Sequence, residues 1–412
     1  MSVAFLQSEL YGADEQSRYV SYRPYSGGPE YLFKLLGPVY GQRSAGRAWF
    51  RTVTSWLVGE MGYMQGKNEP CVFVHPTTGH RIALYCDDFL CRGSRADSEQ
   101  FYAALSRRFD CKDPTYLEPG TDITFTGIDI SMKLDQGHPV YRMDQTRDLL
   151  NFLEEKGIGS VKHRNSPMPD KSVLLNSESI GGNLQSWCRS VIGGLHFFAR
   201  GTRWDIAQAV SRVAHTMHEP EKGTVDAIEI IAGYLVETLD FGLEGRNVPD
   251  VTDMVESMCD SSHHGDPEVS SKSQSGVIVL LNGVPVHWRS NKQPNTTLSP
   301  VESEVYALSV GVKDVRLMGW LLEELGVVIR WPMVICSDSP GAAAFKGDAC
   351  PYTKLKGCFD FRWKWVEELR SANDVITKFV ADEFNLADIF TKCMQTGKFL
   401  RKRDQVTTRN NL

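Results

Sequence analysis

Two adjacent aspartates, Asp87 and Asp88, interrupt an otherwise apolar stretch of the sequence. The residues before Tyr85-Cys86 read IAL, and the residues after the pair read FL. Neighbouring carboxylates raise each other's pKa unless a positive charge offsets them, and phosphoryl-transfer enzymes use Mg²⁺ ions for this purpose. A solvated Asp-Asp turn would give the same dipeptide, but the apolar flanks favour a metal-binding pair at the tip of a hairpin.

Four further acids lie far apart in the sequence, each at a defined place in a predicted element. They are Asp260, which closes a strand, Glu304 in a helix, Asp338 after a strand, and Asp388 in a helix. Four carboxylates in one pocket can hold two Mg²⁺ ions and direct a water molecule at a phosphodiester. The set therefore predicts a hydrolytic nuclease, although any one of these acids could be a solvated surface group, as we expect for Glu302.

The apolar periodicity predicts a mixed α/β protein whose strands position both sets of acids. A helix is predicted over 45–61, and a hairpin carries Asp87 and Asp88. Residues 159–183, rich in Ser, Pro, Asn and Gly, are predicted to be an exposed linker, and residues 184–240 to be helical. A second α/β region follows, with strands predicted at 254–259, 276–281, 284–290 and 333–337 and helices at 300–325, 340–345, 359–370 and 385–394.

The composition bounds the class of protein. The 412 residues are 42% hydrophobic and 23% charged, close to globular averages, and no window approaches the roughly 18 consecutive apolar residues of a membrane helix. The ten cysteines lack C-x-x-C spacing, which predicts reduced thiols in an intracellular protein, either cytoplasmic or nuclear. The net charge of −6 gives no global sign of nucleic-acid binding, so evidence for or against such binding must come from the sequence motifs.

The segments around the acidic pair resemble the reverse transcriptases of copia-type LTR retrotransposons. Residues 85–88, YCDD, resemble the family's YVDD, and residues 39–49, VYGQRSAGRAW, resemble LYGLKQAPRAW. Residues 125–130, FTGIDI, resemble FLGIEI, and residues 203–207, RWDIA, resemble RPDIA. The matches follow one another along nearly the whole chain, and they imply a reverse-transcriptase palm with Asp87 and Asp88 as metal ligands.

The second set of acids is surrounded by segments that resemble the RNase H domain of the same Pol polyproteins. Residues 273–276, SQSG, are similar to STSG; residues 286–293, VHWRSNKQ, are similar to VSWRSKKQ; and residues 387–392, ADIFTK, are almost unchanged. An RNase H-like fold brings its acids together from a strand, a helix, a strand end and a helix. The resemblance implies that Asp260, Glu304, Asp338 and Asp388 are catalytic ligands of two Mg²⁺ ions, with Mn²⁺ as an alternative.

Three departures from the family pattern shape the expected activity. Alignment of residues 4–6 places the first polymerase aspartate just before Met1, and Ser44 replaces a glutamine expected near the nucleotide. Gly357 and Cys358 replace a lysine and a histidine that could contact phosphate. We therefore expect cleavage of the RNA strand in RNA:DNA hybrids rather than RNA-directed DNA synthesis, with weakened substrate binding. An inactive retroelement remnant that at most binds nucleic acid stays open as the alternative.

Basic residues complete the expectation of a nucleic-acid partner, either an RNA:DNA hybrid or a primer–template. Arg43, Arg47, Arg289 and Lys292 are candidates for phosphate contacts, while solvated helix faces would explain them equally well. The sequence gives no oligomeric state. We predict a truncated palm over 1–158, a linker and helical thumb or connection over 159–250, an RNase H-like mixed-sheet domain over 251–398, and a tail over 399–412.

Overall fold

The computed structural model describes residues 4–8, 18–168, 170–246, 254–263, 272–343 and 356–409. The chain divides into two compact units, one formed by Met1–Tyr116 and Leu321–Val327 and the other by Leu117–Trp320 and Val328–Leu412. Both units combine helices with sheets, so the predicted α/β class is confirmed. No described helix has the length and apolar character needed to cross a membrane.

The first unit is built on a four-stranded antiparallel sheet of order β3-β4-β5-β6 and a separate two-stranded ribbon, β1-β2. After a short 3-10 helix, Ala4–Gln7, its elements are β1 (Arg18–Tyr22), β2 (Tyr31–Leu35), α1 (Ala45–Gly59), β3 (Met64–Gln65), β4 (Val72–Val74), β5 (Arg81–Tyr85), β6 (Asp88–Arg92) and α2 (Arg95–Arg108).

Helical spacing of apolar residues explains how α1 packs on this sheet. Trp49, Val53 and Trp56 recur every three or four residues and are buried, so they form one face of the helix. They share a core with residues of β4, β5 and α2, including Phe73 and Ile82. The predicted helix over 45–61 and the hairpin at Asp87 and Asp88 are thus both present.

The second unit begins with an antiparallel sheet of order β10-β9-β8-β7. Its strands are β7 (Asp122–Phe125), β8 (Ile128–Asp135), β9 (His138–Asp144) and β10 (Leu243–Arg246). Between β9 and β10 the chain forms α3 (Thr146–Glu155), a 3-10 helix (Lys171–Leu175), α4 (Gly182–Gly201), a short 3-10 helix (Trp204–Ile206), α5 (Ala207–Ala214) and α6 (Lys222–Glu237). The predicted helical segment is therefore confirmed in outline.

The rest of the second unit is a five-stranded mixed sheet of order β13-β12-β11-β14-β15. Strands β11 (Val255–Ser262), β12 (Gln274–Leu281) and β13 (Val284–Lys292) are antiparallel. Helix α7 (Pro300–Glu324) leads to β14 (Met333–Ser337), which runs parallel to β11, and β15 (Val375–Phe379) runs parallel to β14. The remaining elements are α8 (Pro340–Ala343), α9 (Lys356–Ser371), 3-10 helices at Asp382–Phe384 and Leu386–Phe390, and α10 (Thr396–Arg409).

The structure differs from the sequence prediction in several places, and the helix predicted over 385–394 is only a 3-10 helix at Leu386–Phe390. Strand β15, with the sequence VITKF, was not predicted, because Thr377 and Lys378 interrupt its apolar residues. The expected linker is not exposed throughout, since Ser166, Pro167 and Met168 are buried. Most of the expected tail is helical, as α10 continues to Arg409.

The predicted domain boundaries remain predictions, and residues 247–253, which contain one of them, lie outside the described residues. One hydrophobic core extends across that boundary. It includes Leu195 and Ile228 from the helices before it and Ile278 and Phe390 from the region after it. The helical segment and the five-stranded sheet consequently belong to one packed body.

A buried ion pair stands at the centre of the helical segment. Arg203 donates to both oxygens of Asp205, at 3.0 and 2.8 Å, and both side chains are almost fully buried. Tyr234 donates a third hydrogen bond to Asp205 Oδ2 at 2.7 Å. The RWDIA segment therefore has a structural role here, because burial of a charge is tolerated only when it is paired and hydrogen-bonded.

We predict that Asp205→Ala lowers the free energy of unfolding by about 3–5 kcal/mol, the usual cost of leaving one member of a buried pair unpaired. Urea unfolding followed by circular dichroism measures this. Lys133→Ala is the control, because Lys133 forms an exposed pair with Glu244 and such pairs contribute little. Equal stability of the Asp205→Ala protein and the parent would contradict the assignment.

Candidate active site

Two of the predicted acids lie at the ends of neighbouring parallel strands. Asp260 is in β11 and Asp338 directly follows β14, and the two strands are in register with Cys259 beside Ser337. Because the carboxyl ends of parallel strands meet at one edge of a sheet, the two carboxylates converge there. Asp260 is 3% exposed, and Asp338 is partly exposed.

The third acid, Glu304, is brought to this edge by α7. Ser261 of β11 donates its backbone N–H to Glu304 Oε1 at 3.3 Å, and the hydroxyls of Ser261 and Ser303 lie 2.8 Å apart. Glu304 Oε2 is buried and has no hydrogen-bond partner among the described residues. A buried carboxylate oxygen without a partner is costly, and a cation is the natural ligand for it.

The fourth acid, Asp388, lies in the 3-10 helix Leu386–Phe390, which Asn385 fastens to the sheet. The Asn385 side chain accepts a hydrogen bond from Ala387 N at 3.1 Å and donates one to the carbonyl oxygen of Cys259 at 2.9 Å. Thr391, at the end of the same turn, donates to Asp260 Oδ2. Asp388 is fully buried beside β11 as a result.

Gly276 allows this turn to approach the sheet so closely. It is paired with Asp260 in the β11–β12 ladder. A Cβ atom at this position would lie 2.5 Å from the carbonyl oxygen of Ala387 and 2.8 Å from Cγ2 of Thr391, which is closer than non-bonded atoms can come. Any larger residue would push the turn, and with it Asp388, away from Asp260.

The acids form two compact groups that share one member. Oxygen atoms of Asp260, Glu304 and Asp338 all lie within 4.8 Å of one another, and so do oxygen atoms of Asp338, Asp382 and Asp388. The structure thus brings all four predicted acids together. Sequence reasoning missed Asp382, which is exposed at the surface and which no motif distinguishes from an ordinary solvated acid.

Burial and mutual repulsion shift the titration of these groups. Burial raises the pKa of Asp260 to about 7, and Asp388 adds to the rise. Burial and the charge of Asp260 raise the pKa of Glu304 to about 8, and burial also raises the pKa of Asp338. Asp388 is the exception: burial opposes its ionisation, but Lys392 and Lys402 hold its pKa well below the usual range.

Lysines contributed by the segment after Asp388 surround its carboxylate. Lys392 Nζ lies 2.6 Å from Oδ1, while Lys402 Nζ and Lys398 Nζ lie 3.0 and 3.3 Å from Oδ2. Lys402 is itself buried and donates to the carbonyl oxygen of Asn385 at 2.9 Å. Two of these lysines belong to α10, so the helix that was predicted as a tail completes the site.

The pair Asp87 and Asp88 occupies the predicted hairpin tip. Asp88 pairs with Tyr85 across the β5–β6 ladder, and Cys86 turns the chain with a φ of 51°. Trp49 of α1 donates its indole N–H to the carbonyl oxygen of Cys86 at 2.8 Å. Within the described part of the chain, no third His, Cys, Asp or Glu joins this pair in a compact group.

The predicted phosphate-binding residues have different surroundings. Arg43 and Arg47 are exposed near the start of α1. Arg289 instead forms an ion pair of 2.7 Å with Asp314, a buried residue of α7. Asp314 therefore already neutralises part of its charge. Lys292, at the end of β13, is partly exposed.

The donor set fits a hard divalent cation. All the candidate ligand atoms near Asp260 are carboxylate oxygens, which Mg²⁺ and Mn²⁺ prefer. Among these acids, Glu304 Oε2 and both oxygens of Asp388 are buried without a hydrogen-bond partner in the described residues. In the five-stranded mixed sheet the acids come from a strand, a helix, a strand end and a 3-10 helix, close to the order that the sequence predicts for an RNase H-like domain. The hairpin with two aspartates at its tip matches the feature that the sequence predicts for a reverse-transcriptase palm.

Comparison with known proteins leads to the same class. The chain is 27% identical over 375 residues to the retrovirus-related Pol polyprotein from transposon RE2 of Arabidopsis thaliana, covering 90% of this chain and 25% of the relative. It is 25% identical over 416 residues to the corresponding polyprotein from transposon TNT 1-94 of Nicotiana tabacum, covering 98% of this chain and 30% of the relative. The chain is homologous to the Pol polyproteins of copia-type retrotransposons, and it spans about a quarter of the length of these curated relatives.

No protein-family model matches the chain. Among solved structures, the foamy viral protease–reverse transcriptase in complex with an RNA/DNA hybrid aligns with a TM-score of 0.46 at 13% identity. That alignment covers 85% of this chain and 40% of the viral protein.

We predict that, without divalent ions, the free energy of unfolding falls as the pH rises from about 4 to about 8. Unfolded Asp and Glu release their protons near pH 4, whereas folded Asp260 and Glu304 keep theirs to about pH 7 and 8. The folded state then binds more protons than the unfolded state, so stability declines with pH. Asp388 acts in the opposite sense, and its contribution is lost only in stronger acid.

Urea unfolding in EDTA at pH 5, 6.5 and 8 measures this decline. Asp260→Asn should make the decline shallower, since it removes one titrating carboxyl and relieves Glu304 of a neighbouring charge. An equally steep decline in parent and variant would show that other groups determine the pH dependence.

Proposed function

We propose that the second unit cleaves the RNA strand of RNA:DNA hybrids in a divalent-metal-dependent reaction. The observation that carries the proposal is the convergence of Asp260, Glu304 and Asp338 within 4.8 Å, with a buried Glu304 oxygen that lacks a hydrogen-bond partner. The homology to retroelement Pol polyproteins supports it. The same homology makes an RNA:DNA hybrid or a primer–template the nucleic acid we propose as partner.

In this proposal the acids hold the cation and the basic residues hold the substrate. Asp260 and Asp338 bind from the sheet edge and Glu304 from α7. When bound, the cation would lower the pKa of a water molecule and stabilise charge on the phosphodiester oxygens. Lys292, which is partly exposed at the end of β13, is the candidate for a phosphate contact on that strand.

DNA synthesis is a weaker candidate for this chain. Polymerisation by two metal ions needs carboxylates to hold both ions, and the described residues offer only Asp87 and Asp88 at the hairpin tip. We therefore propose hydrolysis in preference to synthesis. The alternative is that the chain binds nucleic acid without catalysis, and a cleavage assay distinguishes this from hydrolysis.

Purified protein incubated with an end-labelled RNA:DNA hybrid and Mg²⁺ should cleave the RNA strand, and EDTA should stop the reaction. Asp260→Asn and Glu304→Gln should each lower the rate by about 10²-fold or more, the usual effect of removing a charge-stabilising group. Gel separation of the labelled products measures the rate.

Glu302→Gln is the matched control, because Glu302 lies on the same helix and instead accepts a hydrogen bond from Leu298 N at 2.7 Å. It should cleave at the parent's rate. A folded parent that binds the hybrid but leaves it intact would favour the inactive remnant. Equal cleavage by all four proteins would point to a contaminating nuclease.

A further inference from the structure

Lys392 places a positive charge between two of the four acids. Its Nζ lies 2.6 Å from Asp388 Oδ1 and 3.9 Å from Asp260 Oδ2. Those carboxylates are 0% and 4% exposed, whereas the lysine side chain is 42% exposed. The ammonium group therefore closes the gap between Asp260 and Asp388 from the solvent side.

Both carboxylate oxygens of Asp388 lie within ion-pair distance of lysine ammonium groups. Lys392 contacts Oδ1, and Lys398 and Lys402 contact Oδ2. Lys402 cannot swing away without leaving a buried ammonium group, because it is 2% exposed and also bonded to the carbonyl oxygen of Asn385. Glu304 differs from Asp388 in having no ion pair with a described lysine or arginine, and its Oε2 is buried without a hydrogen-bond partner among the described residues.

The formal charges of the acids and lysines indicate how many divalent ions the cluster can bind. Asp260, Glu304, Asp338, Asp382 and Asp388 are five carboxylates, and Lys392, Lys398 and Lys402 are three ammonium groups in contact with them. Fully ionised, the cluster has a formal charge of −2. One divalent ion neutralises it, whereas a second ion would leave an excess positive charge beside the almost fully buried Asp260, Asp388 and Lys402, which is unfavourable.

We propose that Lys392 serves as a built-in second cation, so that this site binds a single divalent ion on Asp260, Glu304 and Asp338. Asp388 is then a buried anion that holds Lys392 in place, and it is not a metal ligand. The inference rests on the proposed function, since both use the same acids. It replaces the expectation from family resemblance that two Mg²⁺ ions bind here.

The test counts Mn²⁺ ions on the full-length chain. Mn²⁺ bound by the parent minus Mn²⁺ bound by the Asp260→Asn/Asp338→Asn double variant gives the number of ions at this site, because the double variant removes a ligand from both groups of acids while exposed acids elsewhere contribute equally to both proteins. Equilibrium titration gives the count, and electron paramagnetic resonance detects two Mn²⁺ ions about 4 Å apart by their exchange coupling. Neither readout requires catalysis.

We expect one ion in the parent with no exchange coupling, and two coupled ions in Lys392→Met. Lys392→Arg keeps the positive charge and should stay at one. Lys398→Met is the matched control, because Lys398 contacts Asp388 without bridging to Asp260, and it should also stay at one. Circular dichroism checks that each variant is folded.

Two coupled ions in the parent would overturn the proposal, and this measurement does not depend on any variant folding. A single ion in a folded Lys392→Met protein would also overturn it. If the double variant binds as many ions as the parent, the cluster holds no metal ion, and the proposed function fails with it. The two failures are therefore distinguishable.

Discussion

The second unit depends on holding several carboxylates together in a place that water hardly reaches. Four acids converge at one end of a sheet, and two of them are almost fully buried. Like charges at such separations repel strongly in a medium of low dielectric constant. The protein meets this cost in two ways: Asp260 and Glu304 retain protons to an unusually high pH, and lysines neutralise Asp388.

Those lysines explain why the end of the chain is folded onto the sheet. Lys402 reaches from α10 into the interior and joins Asp388 to the carbonyl oxygen of Asn385, while Asn385 in turn is bonded to β11. Gly276 leaves the room that this turn needs. Hydrogen bonds and ion pairs thus join the sheet, the acidic turn and the last helix in one network. Within this network, lysines of the last helix keep the carboxylate of Asp388 ionised.

Much of this arrangement could be predicted from the sequence, because the strands and the acids lie in segments with clear apolar patterning or family resemblance. The antiparallel strands, β14 and the positions of Asp260, Glu304, Asp338 and Asp388 all follow from apolar patterning and family resemblance. The contributions of Lys398 and Lys402 could not be predicted, since lysines on a polar helix usually face solvent. Asp382 gave no signal either, and the pairing of Arg289 with Asp314 depends on a contact between a strand and a helix 25 residues apart.

Anomalous scattering from crystals soaked in Mn²⁺ would show directly whether these acids form the metal centre of the chain. We expect an anomalous peak within coordination distance of carboxylate oxygens of Asp260, Glu304 and Asp338. The absence of a peak there in crystals that bind Mn²⁺ at Asp87 and Asp88 would contradict it, because the functional centre would then lie at the hairpin of the first unit.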